Sequence, residues 1–255
     1  MCELFGLSSK SPIDVRGYLT EFYSHSVRHP HGWGLMRHAG DKAEIIKESM
    51  CASKSAILHN IIDETEPQKN LLAHIRLATI GSVKHDNCHP FTGTDSSGRR
   101  WTLIHNGTIY SGTQLSKYFS SQTGDTDSER IFLYLLDEMN SAIAKNGAPL
   151  TEEERCEVVD SIAVALSPRN KLNLLIYDGE VLYAHKNMKD TLFFKAAPDT
   201  VIISTQPLDD DGWLDFPMTR MRAFKDGERI FEGTDHGNEF IPTLEYITAL
   251  DAMNI

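Results

Sequence analysis

The sequence predicts an α+β fold in which helices pack on antiparallel sheets. Strand-like runs occur in both halves of the chain, and two central stretches carry apolar residues at helical spacing. Short turns join consecutive strands in the second half, which favours antiparallel pairing because parallel neighbours need long crossovers. The 255 residues can bury one large core, and neither a linker nor an internal repeat divides them. We therefore expect a single domain over residues 1–255.

The first half of the chain is predicted to contain strands and two short helices. Residues 2–7 predict a strand, and Ser11-Pro12 predicts the start of a helix that runs to about residue 23, since serine caps helices and proline fits their first turn. Asn106-Gly107 follows a later strand and predicts a sharp turn, because this pair tolerates positive φ. The other predicted elements are strands at 33–37, 43–47, 71–76 and 101–105, a hairpin turn at 39–42, a helix at 53–63 and a loop at 88–91.

Two central helices are predicted from capping boxes, in which an N-cap threonine and a glutamate three residues later satisfy each other's free amides. Thr126 and Glu129 form the first box, and Thr151 and Glu154 form the second, whose helix ends near residue 167. Beyond these helices the chain predicts strands at 172–177, 181–185, 191–195, 201–205, 218–224 and 229–231, with tight turns at 178–179 and 225–227.

The composition is that of an ordinary globular protein and argues against several classes. The net charge of −11 disfavours nucleic acid as a partner, since phosphate binding needs a basic surface. No apolar run approaches the ~20 residues of a membrane span, and the N-terminus lacks a signal-peptide pattern. The four cysteines follow no disulfide spacing. We therefore expect a cytoplasmic protein with free thiols and with neither nucleic acid nor membrane as a partner.

Cys2 is the first candidate for chemistry, because it becomes the N-terminal residue if Met1 is removed. It then carries a thiol and a free α-amine on the same carbon. A thiol attacks as its thiolate, and its ordinary pKa of about 8.5 leaves it mostly protonated at neutral pH. An α-amine, with a pKa of about 7.7–8.0, is partly an unprotonated base there. One residue would thus supply both nucleophile and base, whereas a retained Met1 leaves the thiol without that base.

Four further residues could hold a free amino acid and open its side-chain amide. Arg76, at the end of a predicted strand, can bind an α-carboxylate through two parallel hydrogen bonds, and Asp127 can bind an α-ammonium group. The side-chain amide of Asn106 and the backbone N–H of Gly107 can donate to the oxyanion that forms when the amide carbonyl is attacked. Each residue alone is better explained as part of the scaffold, but their combination indicates an amide-cleaving site.

Six short segments follow one another in the first half of the chain: Met1-Cys2-Glu3-Leu4-Phe5-Gly6, His31-Gly32-Trp33-Gly34, His74-Ile75-Arg76-Leu77-Ala78-Thr79, Asn87-Cys88-His89-Pro90-Phe91, His105-Asn106-Gly107-Thr108-Ile109 and Thr126-Asp127-Ser128-Glu129. Together they resemble, in the same order, the class II glutamine amidotransferases of the N-terminal nucleophile hydrolases. The later stretch Ser204-Thr205-Gln206-Pro207-Leu208, before Trp213, resembles the stand-alone branch that is often called YafJ-type.

The resemblance implies a four-layer αββα sandwich, with two stacked antiparallel sheets between helical layers and Cys2 on the first strand. It also implies site roles that agree with those inferred from the residues. Cys2 would be nucleophile and amine base, Asn106 and Gly107 would form the oxyanion hole, and Arg76 and Asp127 would hold the amino-acid end of the substrate. The resemblance implies neither a metal nor another cofactor.

Three positions depart from the better-known, synthase-linked members of the family. Leu77 stands where an aromatic residue often follows the arginine, Ile80 where a histidine often follows the threonine, and His31 where many relatives have Asp before Gly-Trp-Gly. Thr79 is retained, and the resemblance implies that it assists at the substrate carboxylate. The departures leave open how the loop over the substrate closes and how strict the preference for free glutamine is.

These inferences predict an enzyme that releases ammonia from the side chain of L-glutamine through a γ-glutamyl thioester on Cys2. The expected partner is a small-molecule substrate, either glutamine or a γ-glutamyl compound. We expect any ammonia acceptor to be bound by a separate protein or synthase subunit, because the chain has no room for a synthase domain. Two alternatives stay open: hydrolysis of a larger γ-glutamyl compound, and a non-catalytic binding module if Met1 is retained.

Other arrangements of cysteine and histidine are less well supported. A Cys–His thiol hydrolase could pair Cys88 with His89 or His105, but a cysteine and a histidine in one loop rarely point at each other. Metal ligation is also disfavoured, because the spacing of the candidate ligands matches no closed zinc pattern. The two candidate ligand sets are His25, His29 and His31, and His85, Cys88 and His89.

Overall fold

The computed structural model describes residues 2–40, 42–244, 247 and 248. Met1 and Asp41, the latter in the predicted hairpin turn, lie outside the described residues. The elements along the chain are β1 (Glu3–Ile13), α1 (Arg16–Ser24), β2 (Trp33–Ala39), β3 (Lys42–Glu48), α2 (Ala56–Glu64), β4 (Gln68–Ile75), β5 (Phe91–Thr94), β6 (Arg100–Thr108), α3 (Asp127–Asn146), α4 (Glu152–Leu166), β7 (Lys171–Tyr177), β8 (Leu182–His185), β9 (Phe193–Ala197), β10 (Thr200–Ser204), β11 (Trp213–Asp215), β12 (Arg222–Lys225) and β13 (Glu228–Glu232).

The strands form two antiparallel sheets over the described residues. The first sheet has seven strands in the order β11-β9-β10-β1-β4-β2-β3, and the second has six in the order β13-β12-β8-β7-β6-β5. β1 pairs with β4 on one side and with β10 on the other, so the first strand of the chain lies inside its sheet. β6 and β7 pair in the second sheet from Thr102 opposite Tyr177 to Thr108 opposite Lys171.

The α-helices form the outer layers because each buries one apolar face. Leu19 and Phe22 of α1 pack with α2 on the outer face of the first sheet, in a core that includes Phe5 of β1. On the second sheet, α3 buries Ile131 and Leu135 at four-residue spacing, and α4 packs beside it in the same core. A third apolar core lies between the sheets, so the α+β prediction and the four-layer order are confirmed.

The predicted helix start at Ser11-Pro12 is wrong. Both residues belong to β1, and α1 begins only at Arg16, after Val15, whose side chain makes no capping hydrogen bond. The pairing of β1 with β4 shifts register between Ser8 and Ile13, and proline is tolerated in a strand at such an irregularity. Tertiary pairing therefore overrides the local helix-start signal.

The predicted turn at Asn106-Gly107 is also wrong, because β6 continues through both residues to Thr108. Their partners on β7 are Asn173 and Leu172, so the pair extends the strand instead of reversing it. This difference matters for the site, because a strand fixes the direction of a side chain more firmly than a turn. The shorter turns are confirmed: Asp226 and Gly227, between β12 and β13, have φ values of 52° and 79°.

The two predicted capping boxes differ in the structure. At α4 the box is complete, since Thr151 accepts from the backbone N–H of Glu154, and the Glu154 carboxylate accepts from the backbone N–H of Thr151 at 2.7 Å. At α3, Thr126 accepts from the backbone N–H of Glu129, but the Glu129 carboxylate accepts instead from Thr123 and Gly124. The first box is therefore only half formed.

The complete box predicts a measurable cap contribution. Thr151→Ala removes the hydroxyl that accepts from Glu154, and we expect it to lower the free energy of unfolding by about 1 kcal/mol. Urea unfolding followed by circular dichroism measures the change. Ser161→Ala is the matched control, because this exposed hydroxyl in the same helix only donates back to the carbonyl of Val158. Equal effects of the two substitutions would contradict the assignment of the cap.

Candidate active site

Cys2 lies immediately before β1, half-buried, with its Sγ 3.5 Å from the backbone oxygen of Leu77, to which the thiol can donate. Burial raises the pKa of the Cys2 thiol above its ordinary value, while the positive charges of Arg76 and Lys171 act in the opposite direction. The thiol is therefore a partly desolvated group with two cations near it. These cations favour its ionised, nucleophilic form.

Arg76 follows the last residue of β4 and is only 2% exposed. Its backbone N–H donates to Gly32 at 2.8 Å, which ties the end of β4 to the segment before β2. The guanidinium Nη1 donates to the carbonyl of Ser82 at 2.9 Å, and Nη2 donates to that of Ile80 at 3.0 Å. Nη2 also contacts the carbonyl of Gly81 at 3.4 Å. Nη1 carries a second hydrogen, so the contacts orient the guanidinium and leave a donor for a carboxylate.

The loop that follows Arg76 is held from two sides. The ring nitrogen Nδ1 of His31 accepts from the backbone N–H of Ala78 at 2.9 Å. Farther along, the Asp125 carboxylate accepts from the backbone N–H and the hydroxyl of Ser82. Thr79 lies between these anchors and is exposed. His31, one of the departures noted in the sequence, therefore positions the segment that carries Thr79.

Asn106 and Gly107 lie at the end of β6. Asn106 is 1% exposed, and its Oδ1 accepts from Nζ of Lys171 at 2.9 Å. Its Nδ2 is buried and has no hydrogen-bond partner among the described residues. Gly107 is required for space, because a Cβ there would lie 2.0 Å from the backbone oxygen of Lys171 and 2.3 Å from Nε2 of His105. A buried amide N–H without a partner is the type of donor that an oxyanion hole needs.

Asp127 is the first residue of α3 and is 4% exposed. Its Oδ2 accepts from the backbone N–H of Ile109 at 2.8 Å, and its Oδ1 accepts from that of Ser128 at 2.9 Å. Ile109 directly follows β6, so this bond joins the beginning of α3 to the strand end that carries Asn106. Each carboxylate oxygen retains a lone pair with which it could accept from an ammonium group.

The two sheets bring several of these side chains to one end of the sandwich. Side chains alternate along a strand, and Leu4, Ile104 and Leu175 all lie in the core between the sheets. By the same alternation Asn106 and Lys171 face this inter-sheet space, and Cys2 lies on the corresponding face before β1. The N-terminal end of β1 and the C-terminal end of β4 coincide, with Glu3 opposite Ile75.

A cavity of about 160 Å³ adjoins Cys2 on a side that the sequence did not identify. Arg76, Asn106 and Asp127 are not among the described lining residues of this cavity. Family-like motifs mark only some of the residues that line it, because these residues come from distant parts of the chain. They are Cys2, Glu3, Arg28, His29, Asp190, Thr191, Thr205 and Gln206.

Lys171 is the most conspicuous site residue that sequence reasoning missed. It begins β7 and is 1% exposed, although a lysine at the start of an apolar strand resembles an ordinary solvated end. Burial lowers the pKa of Lys171 to about 7, and the neighbouring Cys2 thiol opposes this shift. No local sequence signal distinguishes this lysine, because its burial results from the packing of the two sheets.

Cys88 has little of the character of a nucleophile in this structure. Its thiol can donate to the carbonyls of Glu48 at 3.4 Å and Lys84 at 3.5 Å, and no bond joins it to the candidate bases His89 or His105. Burial raises the pKa of the Cys88 thiol to about 11. Within the part of the chain that the structure describes, no group of three or more His, Cys, Asp and Glu side chains is arranged to hold a metal ion.

Buried histidines lie beneath the candidate site. The rings of His74 and His89 have centroids 4.0 Å apart, and Nδ1 of His105 is 2.9 Å from the hydroxyl of Ser128 on α3. Burial lowers the pKa of all three histidines, most strongly for His74 and His89. They are therefore neutral at physiological pH and make the base of the site polar without charging it.

Similarity to known proteins shows which family the chain belongs to. The family model described as class-II glutamine amidotransferases matches residues 1–200. The chain belongs to this family. The amidotransferase is 29% identical to the putative glutamine amidotransferase YafJ of Escherichia coli over 263 residues, which cover 90% of this chain and 100% of that protein. These matches confirm the family and the YafJ-type branch that the sequence predicted, and they confirm that the chain is an enzyme.

Two further likenesses bear on activity and fold. The chain is 27% identical over 228 residues to the gamma-glutamyl-hercynylcysteine sulfoxide hydrolase of Mycolicibacterium smegmatis, covering 85% of this chain and 87% of that protein. A crystal structure described as a predicted glutamine amidotransferase from Pseudomonas aeruginosa PA01 has 23% identity and a TM-score of 0.63, covering 90% of this chain and 100% of that one. The general activity is therefore that of an amidotransferase or amide hydrolase.

None of the helices described here has the length and apolar character needed to cross a bilayer.

The buried histidines predict a loss of stability on acidification. Burial lowers the pKa values of His74, His89, His105 and His185 in the folded state, that of His185 to about 3. As pH decreases, these histidines bind protons in the unfolded chain at a higher pH than in the folded one. Their contribution to the free energy of unfolding is therefore fully present above about pH 6.5 and is lost below it, by up to about 1.4 kcal/mol per pH unit for each histidine. His25 acts in the opposite direction, because its hydrogen bond to Glu3 raises its pKa. Urea unfolding at pH 7.5 and 5.5 should show a lower free energy of unfolding at the lower pH.

A pair of variants tests whether the buried imidazoles cause this loss. His89→Leu removes one of them, so the difference between the two pH values should shrink relative to the unsubstituted protein. His85→Gln is the control, because the side chain of His85 is 63% exposed. The explanation fails if both variants keep the original pH dependence.

Proposed function

We propose that this amidotransferase hydrolyses the side-chain amide of L-glutamine through a γ-glutamyl thioester on Cys2. One observation carries the proposal: in a member of this family, the Cys2 thiol and Nδ2 of the buried Asn106 lie on inner faces of the two sheets at the same end of the sandwich. This Nδ2 has no hydrogen-bond partner within the described part of the chain. A nucleophile and a preorganised N–H donor are the two groups that acyl transfer requires first.

The reaction follows from the groups that Cys2 supplies once Met1 is removed. The α-amine accepts the thiol proton, and the thiolate attacks the amide carbon to give a tetrahedral oxyanion. Collapse of this intermediate breaks the C–N bond, and the protonated amine gives its proton to the leaving ammonia. The amine then accepts a proton from water, whose oxygen attacks the thioester and releases glutamate and the free thiol. Met1 lies outside the described residues, so its removal stays a prediction.

Asn106 and Gly107 are assigned to the oxyanion. Support comes from the unpartnered Nδ2 of Asn106 and from the close packing of Gly107, where the backbone leaves no space for a side chain. An oxyanion-hole donor typically contributes about 10²–10³ in kcat, so both groups must be held before the substrate arrives. The paired strands β6 and β7 provide this rigidity.

Arg76, Asp127 and Thr79 are assigned to the amino-acid end of the substrate. The guanidinium of Arg76 is buried and oriented by three carbonyls, and its Nη1 retains a hydrogen for an α-carboxylate. The Asp127 carboxylate would accept from the α-ammonium group. Thr79, on the loop that Arg76 holds, would add a hydroxyl at the carboxylate. Hydrolysis would thus require a free amino-acid end as well as an amide.

The predicted nucleophile is tested by paired cysteine substitutions. Cys2→Ala should lower ammonia release from glutamine by about 10³-fold or more, because it removes the attacking atom. Cys88→Ala is the matched control and should keep most of the activity, since its buried thiol is bound to backbone carbonyls. Ammonia release is measured in a coupled assay. Full activity of the Cys2→Ala variant would rule out the proposed mechanism.

The mass of the intact protein tests the requirement for a free α-amine. We expect the active protein to lack Met1. A protein that keeps Met1 on every molecule and hydrolyses no amide would instead support the non-catalytic binding module.

A larger γ-glutamyl substrate is the second candidate. It is favoured by the likeness to the hydrolase of Mycolicibacterium smegmatis and by the 160 Å³ cavity beside Cys2, which could receive a leaving group larger than ammonia. The small-molecule substrate, a separate ammonia acceptor, the single domain and the cytoplasmic location stay predictions from the sequence.

A substrate series separates the two candidates. Glutamine should be hydrolysed at least about 100-fold more efficiently than asparagine, because a chain one methylene shorter misplaces the amide when the amino-acid end is fixed. The series also includes glutathione and γ-glutamyl amides of bulky amines, and kcat/KM is measured for each. A higher kcat/KM for a bulky γ-glutamyl amide than for glutamine would replace the first candidate by the second.

A further inference from the structure

Lys171 occupies an unusual place for a lysine. Its side chain is 1% exposed, and burial of an ammonium group is strongly unfavourable unless it is paired or used. Its Nζ donates to Oδ1 of Asn106 at 2.9 Å. The position thus combines a high desolvation cost with a direct contact to the residue assigned to the oxyanion hole.

Strand pairing fixes this contact. Thr108 lies opposite Lys171 and Asn106 lies opposite Asn173, so Lys171 and Asn106 are diagonal neighbours on one face of the sheet. Diagonal neighbours in antiparallel strands are within reach when one side chain is long. The face is the one between the sheets, towards which Ile104 and Leu175 also point.

The contact determines which end of the Asn106 amide is available. The oxygen and nitrogen of a side-chain amide exchange places on a half-turn, and only the oxygen can accept from a protonated lysine. Lys171 therefore selects the orientation in which Nδ2 points away from Nζ. In this orientation Nδ2 is buried without a partner among the described residues, a state that destabilises a folded protein.

We propose that Lys171 is a positioning residue for hydrolysis: by holding Oδ1 of Asn106 it presents Nδ2 to the oxyanion, and its charge strengthens that donor. This inference rests on the proposed function. Lys171 acts through Asn106 and need not touch the substrate. The cost of burying the lysine and of leaving Nδ2 unpaired is offset when negative charge develops on the substrate oxygen.

The charges around Lys171 agree with this role. Among the described residues, the titratable groups that interact with it include the Cys2 thiol from the first sheet and His105 from β6, while Arg76 acts on the same thiol. Burial lowers the pKa of Lys171 to about 7, so its positive charge is present below that pH and is lost as pH rises through it. Thiolate formation at Cys2 and protonation of Lys171 favour each other.

Lys186 provides a matched comparison within the same sheet. It is equally buried, at 0% exposed, but its ammonium group is paired with the Asp215 carboxylate and also donates to the carbonyl of Leu192 at 3.1 Å. Neither Asn106 nor Cys2 is among the hydrogen-bond partners of Lys186 in the described part of the chain. Lys186→Met therefore reports the effect of removing a buried lysine from the scaffold alone.

The first experiment compares Lys171→Met with Lys186→Met. We expect Lys171→Met to lower kcat for glutamine about 10–100-fold, less than the full loss of an oxyanion donor. Its KM should stay within about threefold, because only transition-state stabilisation is removed. The alkaline decrease of kcat/KM associated with Lys171 should also disappear, and Lys186→Met should retain it. A changed KM with an unchanged kcat in Lys171→Met, or equal kinetic changes in both variants, would overturn the proposal.

A double-mutant cycle tests whether Lys171 acts through Asn106. The kcat loss caused by Lys171→Met should shrink to less than about threefold in an Asn106→Ala background, because the amide it orients is already absent. An unchanged loss in that background would mean that Lys171 acts independently and would overturn the proposal. Lys171→Gln is a second variant for the case in which Lys171→Met does not fold. Its side chain keeps an N–H donor but does not ionise, so it should retain part of the kcat of the unsubstituted protein without the pH dependence of Lys171. If the kcat of Lys171→Gln is no higher than that of Asn106→Ala, the positioning role is contradicted.

Alkylation of Cys2 separates failure of this inference from failure of the proposed function. The rate of reaction with iodoacetamide, followed at Cys2 by mass spectrometry, reports thiolate formation without any substrate. Lys171→Met should shift its pH dependence to higher pH, and Lys186→Met should not. A protein that hydrolyses no amide refutes the proposed function, whereas unchanged alkylation in Lys171→Met refutes the electrostatic part of the inference by itself.

Discussion

The site depends on the pairing of β1 on both sides. A chain terminus normally frays, and a nucleophile at position 2 would then have no fixed position. Here β1 pairs with β4 and β10, and its fully buried residues Leu4 and Phe5 point into cores on opposite faces of the sheet. The hydroxyl of Thr205 also accepts from the backbone N–H of Leu4 at 2.8 Å. The strand therefore gives Cys2 a defined position although it stands at the end of the chain.

The second constraint is the cost of polar groups buried around that strand end. Arg76 and Lys171 are both almost fully buried, and both favour the thiolate of Cys2. Their desolvation is tolerated because each is held by oxygen acceptors: backbone carbonyls for Arg76, and the side chain of Asn106 for Lys171. The neutral histidines beneath the site add no opposing charge.

The sequence predicts those features that local chemistry determines. The complete cap at Thr151, the tight turns and the buried strand before Arg76 all have short-range causes, and all are present. The two errors have a common cause, because Ser11-Pro12 and Asn106-Gly107 carry strong local signals that strand pairing overrides. The place of Lys171 in the site could not be predicted from local sequence, since its burial and its contact with Asn106 exist only after two sheets have stacked. The position of Cys2 and the resemblance both predicted the nucleophile, whereas only the structure pointed to the lysine that we propose as the orienting residue of the oxyanion donor.

The two sides of the candidate site have different structural origins. The amino-acid side is built from short segments around Arg76 and Asp127, which match the family motifs. The cavity on the other side of Cys2 is lined by residues from distant parts of the chain, among them Arg28 and Asp190, which no motif marks, and Gln206. Loops tolerate substitution far better than paired strands, because few backbone hydrogen bonds constrain them. Selection for a new leaving group can therefore reshape that cavity while the nucleophile and its oxyanion donors stay fixed, so a shared catalytic motif does not determine a shared substrate.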